Sequence, residues 1–249
     1  MSDASFSRES ARSAIGRAAV EQFEARPQNT GIRRTGKAVS VSHEPAPTTE
    51  WVVVIPVKGT DDAKSRFGDF PRRGELALAI ALDTVSAALA TPSVIGVIVV
   101  TSTAAAAGFD DLEALVVVEE APSGLGDAID SGIAVAAELG APGRGVAVLL
   151  GDLPALAPAE LDLALSAAAA HPLAMVADAA GAGTTLVTAA DGRVHAAAFG
   201  PGSREAHRAA GYAELDVPVR SGLRTDVDTL EELRAVAPRV GTRTAALLG

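Results

Sequence analysis

The sequence predicts an α/β fold built on a mostly parallel sheet, and two observations carry that prediction. The first is the apolar run Val146–Leu150, which ends abruptly at Gly151 and Asp152 and is followed by Pro154. A short apolar run without alternation is typical of a strand buried on both faces, as in the middle of a parallel sheet. The second is the repeated order of strand, helix and strand along the chain, which favours right-handed crossover connections.

The first half of this alternation begins at Trp51, where the composition becomes strongly apolar. A buried strand is followed by residues with helical spacing, which Thr91 and Pro92 interrupt. Two more strands and a second helix complete this half. The predicted elements are strand Trp51–Val57, helix Gly74–Ala90, strands Val94–Thr101 and Leu115–Glu119, and helix Asp127–Leu139.

In the second half, Pro158 suits the first turn of the helix that follows the Val146–Leu150 strand. The alternation of strand and helix then ends, and the turn at Asp191 and Gly192 predicts a β-hairpin inserted into the sheet. Thr229 and Glu232 form a capping box that starts the last helix. The predicted elements are strand Leu173–Ala177, hairpin strands Thr184–Thr188 and His195–Phe199, helix Ser203–Ala210 and strand Glu214–Val219.

Composition limits the class of protein. The chain has 249 residues, 48% of them hydrophobic, and no cysteine, so disulfides, thiolate metal sites and cysteine nucleophiles are excluded. The sequence has no apolar run of the roughly 20 residues that span a bilayer, so we expect a cytoplasmic protein that does not bind membranes. The net charge of −10 argues against binding of nucleic acid, whose phosphates are bound through clustered Lys and Arg.

Residues 1–49 differ from the rest of the chain. They are rich in Ser, Arg, Gly, Thr and Pro and hold few large apolar side chains. We therefore expect a disordered or weakly helical tail over residues 1–49 and one catalytic domain over residues 50–249.

Asp152 is the first candidate for chemistry. In open parallel sheets, ligands bind outside the carboxyl ends of the strands, which is where this carboxylate stands. The alternative is that Asp152 caps the following helix. Pro154 and Pro158 leave room for a turn before that helix begins, which favours a catalytic or metal-binding role.

A second candidate is the loop after the first strand, which combines Lys58, Gly59, Lys64 and Arg66. Backbone donors and point charges in such a loop suit a polyphosphate. The glycine and lysine spacing of a P-loop and the glycine spacing of a dinucleotide-binding turn are both absent. The alternative is a solvated charged loop.

Asp226 and Asp228 lie two residues apart in a segment predicted to be extended, so their side chains point to the same face. Two carboxylates on one face suit Mg²⁺, which prefers oxygen ligands. The alternative for Asp228 is a role at the start of the last helix, although Thr229 already serves as the predicted N-cap.

Two glycine-containing segments, Gly181–Thr184 and Gly200–Ser203, present backbone N–H groups followed by a hydroxyl. Such segments bind phosphate or carboxylate, especially at the start of a helix. The alternative is that both are ordinary turns. The four histidines accompany no nucleophile signature, so a Ser-His-Asp hydrolase is not predicted.

Taken in order, these blocks resemble one known family. The matching blocks are Ile55–Lys58 with Ala63–Arg66, Gly151–Leu156, Gly183–Thr184, Phe199–Ser203 and Gly222–Thr229. Together they cover about residues 51–240 and resemble the phosphoenolpyruvate/2-phospho-L-lactate guanylyltransferases, which make a precursor of the deazaflavin coenzyme F-420. The resemblance implies a three-layer Rossmann-like nucleotidyltransferase fold of the nucleotide-diphospho-sugar transferase type.

The resemblance also implies roles for individual residues. Mg²⁺ is the implied cofactor, and the substrates are GTP and phosphoenolpyruvate, or 2-phospho-L-lactate. The implied Mg²⁺ ligands are Asp152, Asp226 and Asp228, of which Asp152 is also catalytic. The acceptor is implied to bind Thr184, Gly200 and Ser203. The triphosphate is implied to face Lys58, Gly59, Lys64 and Arg66, with Lys58 and Lys64 catalytic, and the guanine to lie by Pro122, Ser123, Gly124 and Leu125.

One position departs from the family pattern. Relatives commonly carry Asn after the Gly-Leu pair, where this chain has Gly126, so an amide that could bond the base or ribose is missing. Two alternatives are a nucleotidyltransferase for a sugar phosphate or molybdopterin-type acceptor, and a catalytically silent nucleotide-binding regulator. A homodimer and direct handover of the reactive product to the next pathway enzyme are further expectations.

Overall fold

The computed structural model describes residues 49–57, 67, 70–119, 124–139, 144–190, 193 and 195–249. The predicted tail over residues 1–49 lies outside this part of the chain, except for Thr49. Seven strands of the described part form one sheet in the order β3-β2-β1-β4-β6-β5-β7. The strands are β1 (Glu50–Pro56), β2 (Val94–Ser102), β3 (Leu115–Glu119), β4 (Arg144–Leu149), β5 (Leu173–Ala177), β6 (Thr184–Ala189) and β7 (Ala213–Glu214).

The predicted α/β fold with a mostly parallel sheet is confirmed. β1 pairs in parallel with β2 and β4, and β2 pairs in parallel with β3. β7 is parallel to β5, whereas β6 runs antiparallel to both β4 and β5. The helices of the described residues are α1 (Arg73–Leu89), α2 (Thr103–Ala106), α3 (Leu125–Glu138), α4 (Pro158–Ala168), α5 (Ser203–Ala209), α6 (Leu230–Val236) and α7 (Thr242–Leu248).

Three layers follow from the two-residue period of the strands. Trp51, Val53 and Ile55 of β1 belong to a core shared with α1 and α4. Val52 and Val54 lie in a second core, on the opposite face, together with α3. Because every residue from Trp51 to Pro56 is buried, β1 shows no polar alternation, as expected for a strand covered on both faces.

Three details of the sequence prediction are wrong. Residues 195–199 are not a strand, so the antiparallel hairpin is formed by β5 and β6, and β6 lies between β5 and β4 instead of pairing with His195–Phe199. The late strand is only Ala213–Glu214, because Arg224 and nearby turns hold the following residues in irregular backbone. The capping box at Thr229 starts α6, but α7 follows it.

Among the described helices, none has both the length and the apolar character needed to cross a membrane.

Candidate active site

A cavity of about 680 Å³ opens at the carboxyl ends of β1 and β4 and at the start of β6. This volume lies within the range of small-molecule sites. The cavity brings together seven of the residues predicted from sequence to form the site. These are Leu125, Asp152, Thr184, Gly200, Ser203, Asp226 and Asp228.

Asp152 reaches the cavity because β4 ends at Leu149 and the chain then turns sharply. A Cβ at Gly151 would lie only 3.1 Å from the carbonyl oxygen of Pro56. The end of β1 therefore closely approaches this turn. Leu153 is tied to α1 by a hydrogen bond of 3.2 Å from its N–H to the hydroxyl of Thr84. Asp152 therefore stands at the end of a central strand, as the sequence predicts.

The segment that carries Asp226 and Asp228 is fastened directly to Asp152. The backbone N–H of Val227 donates a hydrogen bond of 3.1 Å to the carbonyl oxygen of Asp152. Val227 is buried, and the two aspartates that flank it both line the cavity. Both aspartates therefore reach the cavity that Asp152 lines.

The predicted N-cap next to Asp228 is present. The hydroxyl of Thr229 accepts a hydrogen bond of 3.2 Å from the N–H of Glu232, and the Glu232 carboxylate accepts from the N–H groups of Thr229 and Asp228. Thr229 is therefore the N-cap of α6. The carboxylate of Asp228 remains at the cavity.

Asp178 was missed in the sequence analysis, although it also lines the cavity. It directly follows β5, so the rule that singled out Asp152 applies to it equally. Its two oxygens accept hydrogen bonds of 3.0 Å from the N–H of Ala182 and 2.7 Å from that of Gly183. Asp178 thus braces the β5–β6 turn and adds negative charge to the site.

The aspartates influence one another. Burial, and the negative charges of Asp152, Asp178 and Asp228, raise the pKa of Asp226 to about 6. No Lys or Arg is among the described residues that line the cavity. A triphosphate entering this cavity needs positive charge from another source, because like charges at short distance strongly disfavour the ionised forms.

Thr184, at the start of β6, and Gly200–Ser203 line the same cavity. Gly200 and Gly202 have φ angles of +129° and +74°, which residues with a Cβ rarely adopt. The second of these glycines is the N-cap of α5, and Ser203 is the first helical residue. Thr184 and Ser203 are buried in the protein but reach the cavity.

Several predicted nucleotide-binding residues lie outside the described part of the chain. They are Lys58, Gly59, Lys64, Arg66, Pro122 and Ser123. Val57 and Phe67, the described residues on either side of the predicted triphosphate loop, both line the cavity. Gly124 is the N-cap of α3 with a φ of +136°, and Leu125 is the first residue of that helix.

The residues present suit a hard divalent cation, although they do not form a complete metal centre. Within the described ranges, no group of three or more His, Cys, Asp or Glu side chains is arranged to hold a metal ion. Mg²⁺ usually binds one or two carboxylates and completes its shell with waters and substrate phosphates. A cavity lined by aspartates fits an ion whose binding depends on the nucleotide.

The fold is similar to that of the nucleotide-diphospho-sugar transferases. The similar solved structures include a protein described as a transferase of that kind from Desulfovibrio desulfuricans G20, with a TM-score of 0.57 and 16% identity over 80% of this chain and 94% of that one. Another, from Mycobacterium sp. strain JC1, has a TM-score of 0.51 and 17% identity over 80% and 96% of the two chains. At this identity, both similarities concern the fold.

The chain belongs to the family described as guanylyl transferase, CofC like, whose model matches residues 51–207. A phosphoenolpyruvate guanylyltransferase of Streptomyces scabiei is 48% identical over 205 residues, which cover 79% of this chain and 95% of the relative. One of the same name from Thermomonospora curvata is 47% identical, over 84% and 92% of the two chains. The resemblance drawn from the sequence blocks is confirmed, and this protein is an enzyme of the guanylyltransferase class.

Proposed function

We propose that the chain joins GTP and phosphoenolpyruvate to give enolpyruvyl-diphospho-guanosine and pyrophosphate, for the biosynthesis of coenzyme F-420. The observation that carries this proposal is that one cavity combines two kinds of lining residue. We call Asp152, Asp178, Asp226 and Asp228 its acidic side and Thr184 with Gly200–Ser203 its uncharged side. The acidic side suits a nucleotide bound with metal ions, and the uncharged side suits a small acid.

The acceptor assignment is supported by the chemistry of the uncharged side. Hydroxyl groups and backbone N–H groups can bond a carboxylate and a phosphate without adding a cation. The relatives of Streptomyces scabiei and Thermomonospora curvata are named for phosphoenolpyruvate. We therefore assign phosphoenolpyruvate as the acceptor, with binding at Thr184, Gly200 and Ser203. 2-Phospho-L-lactate differs from it by one double bond, and the experiment below compares the two.

We propose Mg²⁺ as the cofactor, with ligands drawn from Asp152, Asp226 and Asp228 and with the shell completed by waters and substrate phosphates. When bound, the ion offsets phosphate charge and polarises the α-phosphate of the nucleotide. Burial raises the pKa of Asp226, and so do the neighbouring carboxylates, whose negative charge a cation would compensate. Lys58 and Lys64 are proposed to add positive charge on the triphosphate side, in a loop flanked by the cavity residues Val57 and Phe67.

In the proposed reaction, an oxygen of the acceptor's phosphate attacks the α-phosphorus of GTP in line. The bond from that phosphorus to the oxygen bridging the α- and β-phosphates breaks, and pyrophosphate leaves with the electron pair. A phosphate oxygen is already ionised at neutral pH, so the chain needs no general base. Its task is to hold two polyanions in reacting geometry, which can supply a large part of the rate enhancement. The product is a reactive phosphoanhydride, and its direct handover to the next enzyme is part of the proposal.

The proposal is tested by measuring pyrophosphate release from GTP with phosphoenolpyruvate, 2-phospho-L-lactate and a sugar phosphate as separate acceptors. We expect the highest kcat/KM with phosphoenolpyruvate, and no release without an acceptor. As a matched control, the exposed Asp216, which does not line the cavity, is changed to Asn and should leave the rate unchanged. Release with the sugar phosphate alone would indicate a different nucleotidyltransferase. GTP binding without release from any acceptor would indicate a silent regulator.

A further inference from the structure

His207 is buried on α5, next to the uncharged side of the cavity, yet the reaction described above gives it no role. Each of its ring nitrogens has one partner. Nε2 lies 2.8 Å from the backbone N of Ala198, and Nδ1 lies 3.0 Å from the hydroxyl oxygen of Thr184. The ring thus joins a cavity residue on β6 to the irregular segment that leads to Gly200.

The partner of Nε2 determines where the ring carries its proton. A backbone N–H can only donate, so Nε2 must accept from Ala198 and carry no hydrogen. Burial lowers the pKa of His207, and the neutral ring has a single N–H. That proton is consequently on Nδ1, and Nδ1 donates to the oxygen of Thr184.

The orientation of the Thr184 hydroxyl follows from this tautomer. Since its oxygen accepts from His207, its own proton is directed elsewhere, and in the described part of the chain that hydroxyl has no second partner. Thr184 lines the cavity, where the acceptor's acid groups are expected. A hydroxyl whose oxygen already accepts one hydrogen bond can donate its own proton to a carboxylate or phosphate oxygen.

We propose that His207 is a positioning residue that holds the Thr184 hydroxyl as a hydrogen-bond donor to the carboxylate or phosphate of the acceptor. This inference rests on the proposed function, because it assumes that a small acid binds beside Thr184. It makes the histidine a determinant of affinity for the acceptor and not for GTP.

Nε2 of the ring holds another part of the cavity lining in place. The bond from Ala198 holds the backbone just before Phe199 and Gly200, both of which line the cavity. The ring of Phe199 packs edge-to-face on the imidazole, with centroids 5.3 Å apart. One side chain therefore orients a hydroxyl and anchors the segment that carries the other predicted acceptor contacts.

Two substitutions separate the functions of the two nitrogens. In His207→Asn, the amide replaces Nδ1 and can still donate to Thr184. In His207→Gln, the amide reaches the place of Nε2 and can still accept from Ala198, but the donor to Thr184 is lost. Thr184→Val removes the hydroxyl, and Thr184→Ser keeps it. Two variants are matched controls. Thr188→Val changes a buried threonine on the same strand, and His195→Gln changes a histidine outside the cavity lining.

We expect His207→Gln and Thr184→Val each to raise the KM and the Kd of phosphoenolpyruvate at least 10-fold, or about 1.4 kcal/mol. The KM of GTP should stay within about twofold, since the proposed triphosphate contacts are in the Lys58–Arg66 loop and do not include this pair. His207→Asn and Thr184→Ser should retain most of the affinity. In the double variant with both His207→Gln and Thr184→Val, the loss should be no larger than with Thr184→Val alone, because both remove one interaction.

If the losses of phosphoenolpyruvate affinity in the two single variants multiply in the double variant, the positioning role is wrong and the role of His207 is structural. An equal loss of GTP affinity would have the same meaning. Thermal unfolding of each variant identifies any that fails to fold. ¹⁵N chemical shifts of the His207 ring, measured without substrate, test the tautomer, and a proton on Nε2 would also overturn the inference. If the wild-type protein binds phosphoenolpyruvate but releases no pyrophosphate, the proposed reaction is wrong, while the binding comparison still decides the role of His207.

Discussion

Replacing Asp226 by Asn is expected to stabilise the folded protein while it damages the site. Asp226 is partly buried, and burial, together with the negative charges of three other carboxylates, raises its pKa from 3.8 to about 6. At 1.36 kcal/mol per pKa unit, this rise corresponds to about 3 kcal/mol of unfavourable free energy when the group is ionised. Because the side chain keeps some contact with water, we expect Asp226→Asn to gain about 1–3 kcal/mol in free energy of unfolding at neutral pH.

The pH dependence of this gain has a definite sign. The folded state binds a proton at Asp226 more tightly than the unfolded chain does, so the wild-type protein loses stability as pH rises from about 4 to about 6. Asn cannot ionise and does not show this loss. The advantage of the variant should therefore be full above pH 6 and vanish as pH falls below the unfolded-state value of 3.8.

The measurement is denaturant unfolding of both proteins in chelator, at neutral pH and again at about pH 4. Asp216→Asn, at an exposed site outside the cavity, is the control and should change stability little. Adding Mg²⁺ with GTP should stabilise the wild-type protein more than the Asp226→Asn variant. A variant that is less stable than the wild-type protein at neutral pH would refute the electrostatic reasoning.

Three further predictions concern turnover and folding. Asp152→Asn should lower turnover at least about 10³-fold, or about 4 kcal/mol of transition-state stabilisation, and near-normal pyrophosphate release would exclude its metal role. Gly222→Ala should lower the free energy of unfolding by about 1–3 kcal/mol, because the new Cβ would meet the backbone carbonyl of Ala155. Gly126→Ala, where a Cβ meets nothing, is its control and should be neutral or slightly stabilising in denaturant unfolding. Thr229→Ala should cost about 1 kcal/mol in the same measurement, through loss of the N-cap of α6.

The sequence was sufficient to predict most of the acidic side of the site, because that side follows from local rules. A carboxylate after a buried strand identified Asp152, and a spacing of two in an extended segment placed Asp226 and Asp228 on one face. The same strand-end rule would have found Asp178. Only the tertiary fold shows that the segment of Val227 lies against Asp152, since one backbone hydrogen bond joins positions about 75 residues apart.

The uncharged side of the site was only partly predictable, since its organisation depends on contacts between distant positions. β6 pairs with β5 and not with residues 195–199. The turn signal at Asp191 and Gly192 predicts the other pairing, and only the complete sheet shows which one forms. The contact between His207 and Thr184 spans 23 positions and has no local signal. His207 lies one helical turn after Ser203, but its tautomer can be inferred only from its hydrogen-bond partners.

The central claim, that an acceptor phosphate displaces pyrophosphate from the α-phosphorus of GTP, is tested most directly by following labelled phosphorus. GTP labelled at the α- or the γ-position is incubated with the enzyme, Mg²⁺ and phosphoenolpyruvate, and the products are separated. The account predicts that α-label appears in a guanosine diphosphoester of the acceptor and γ-label in pyrophosphate. Transfer of γ-label to the acceptor, or appearance of α-label only in free guanosine phosphates, would contradict it.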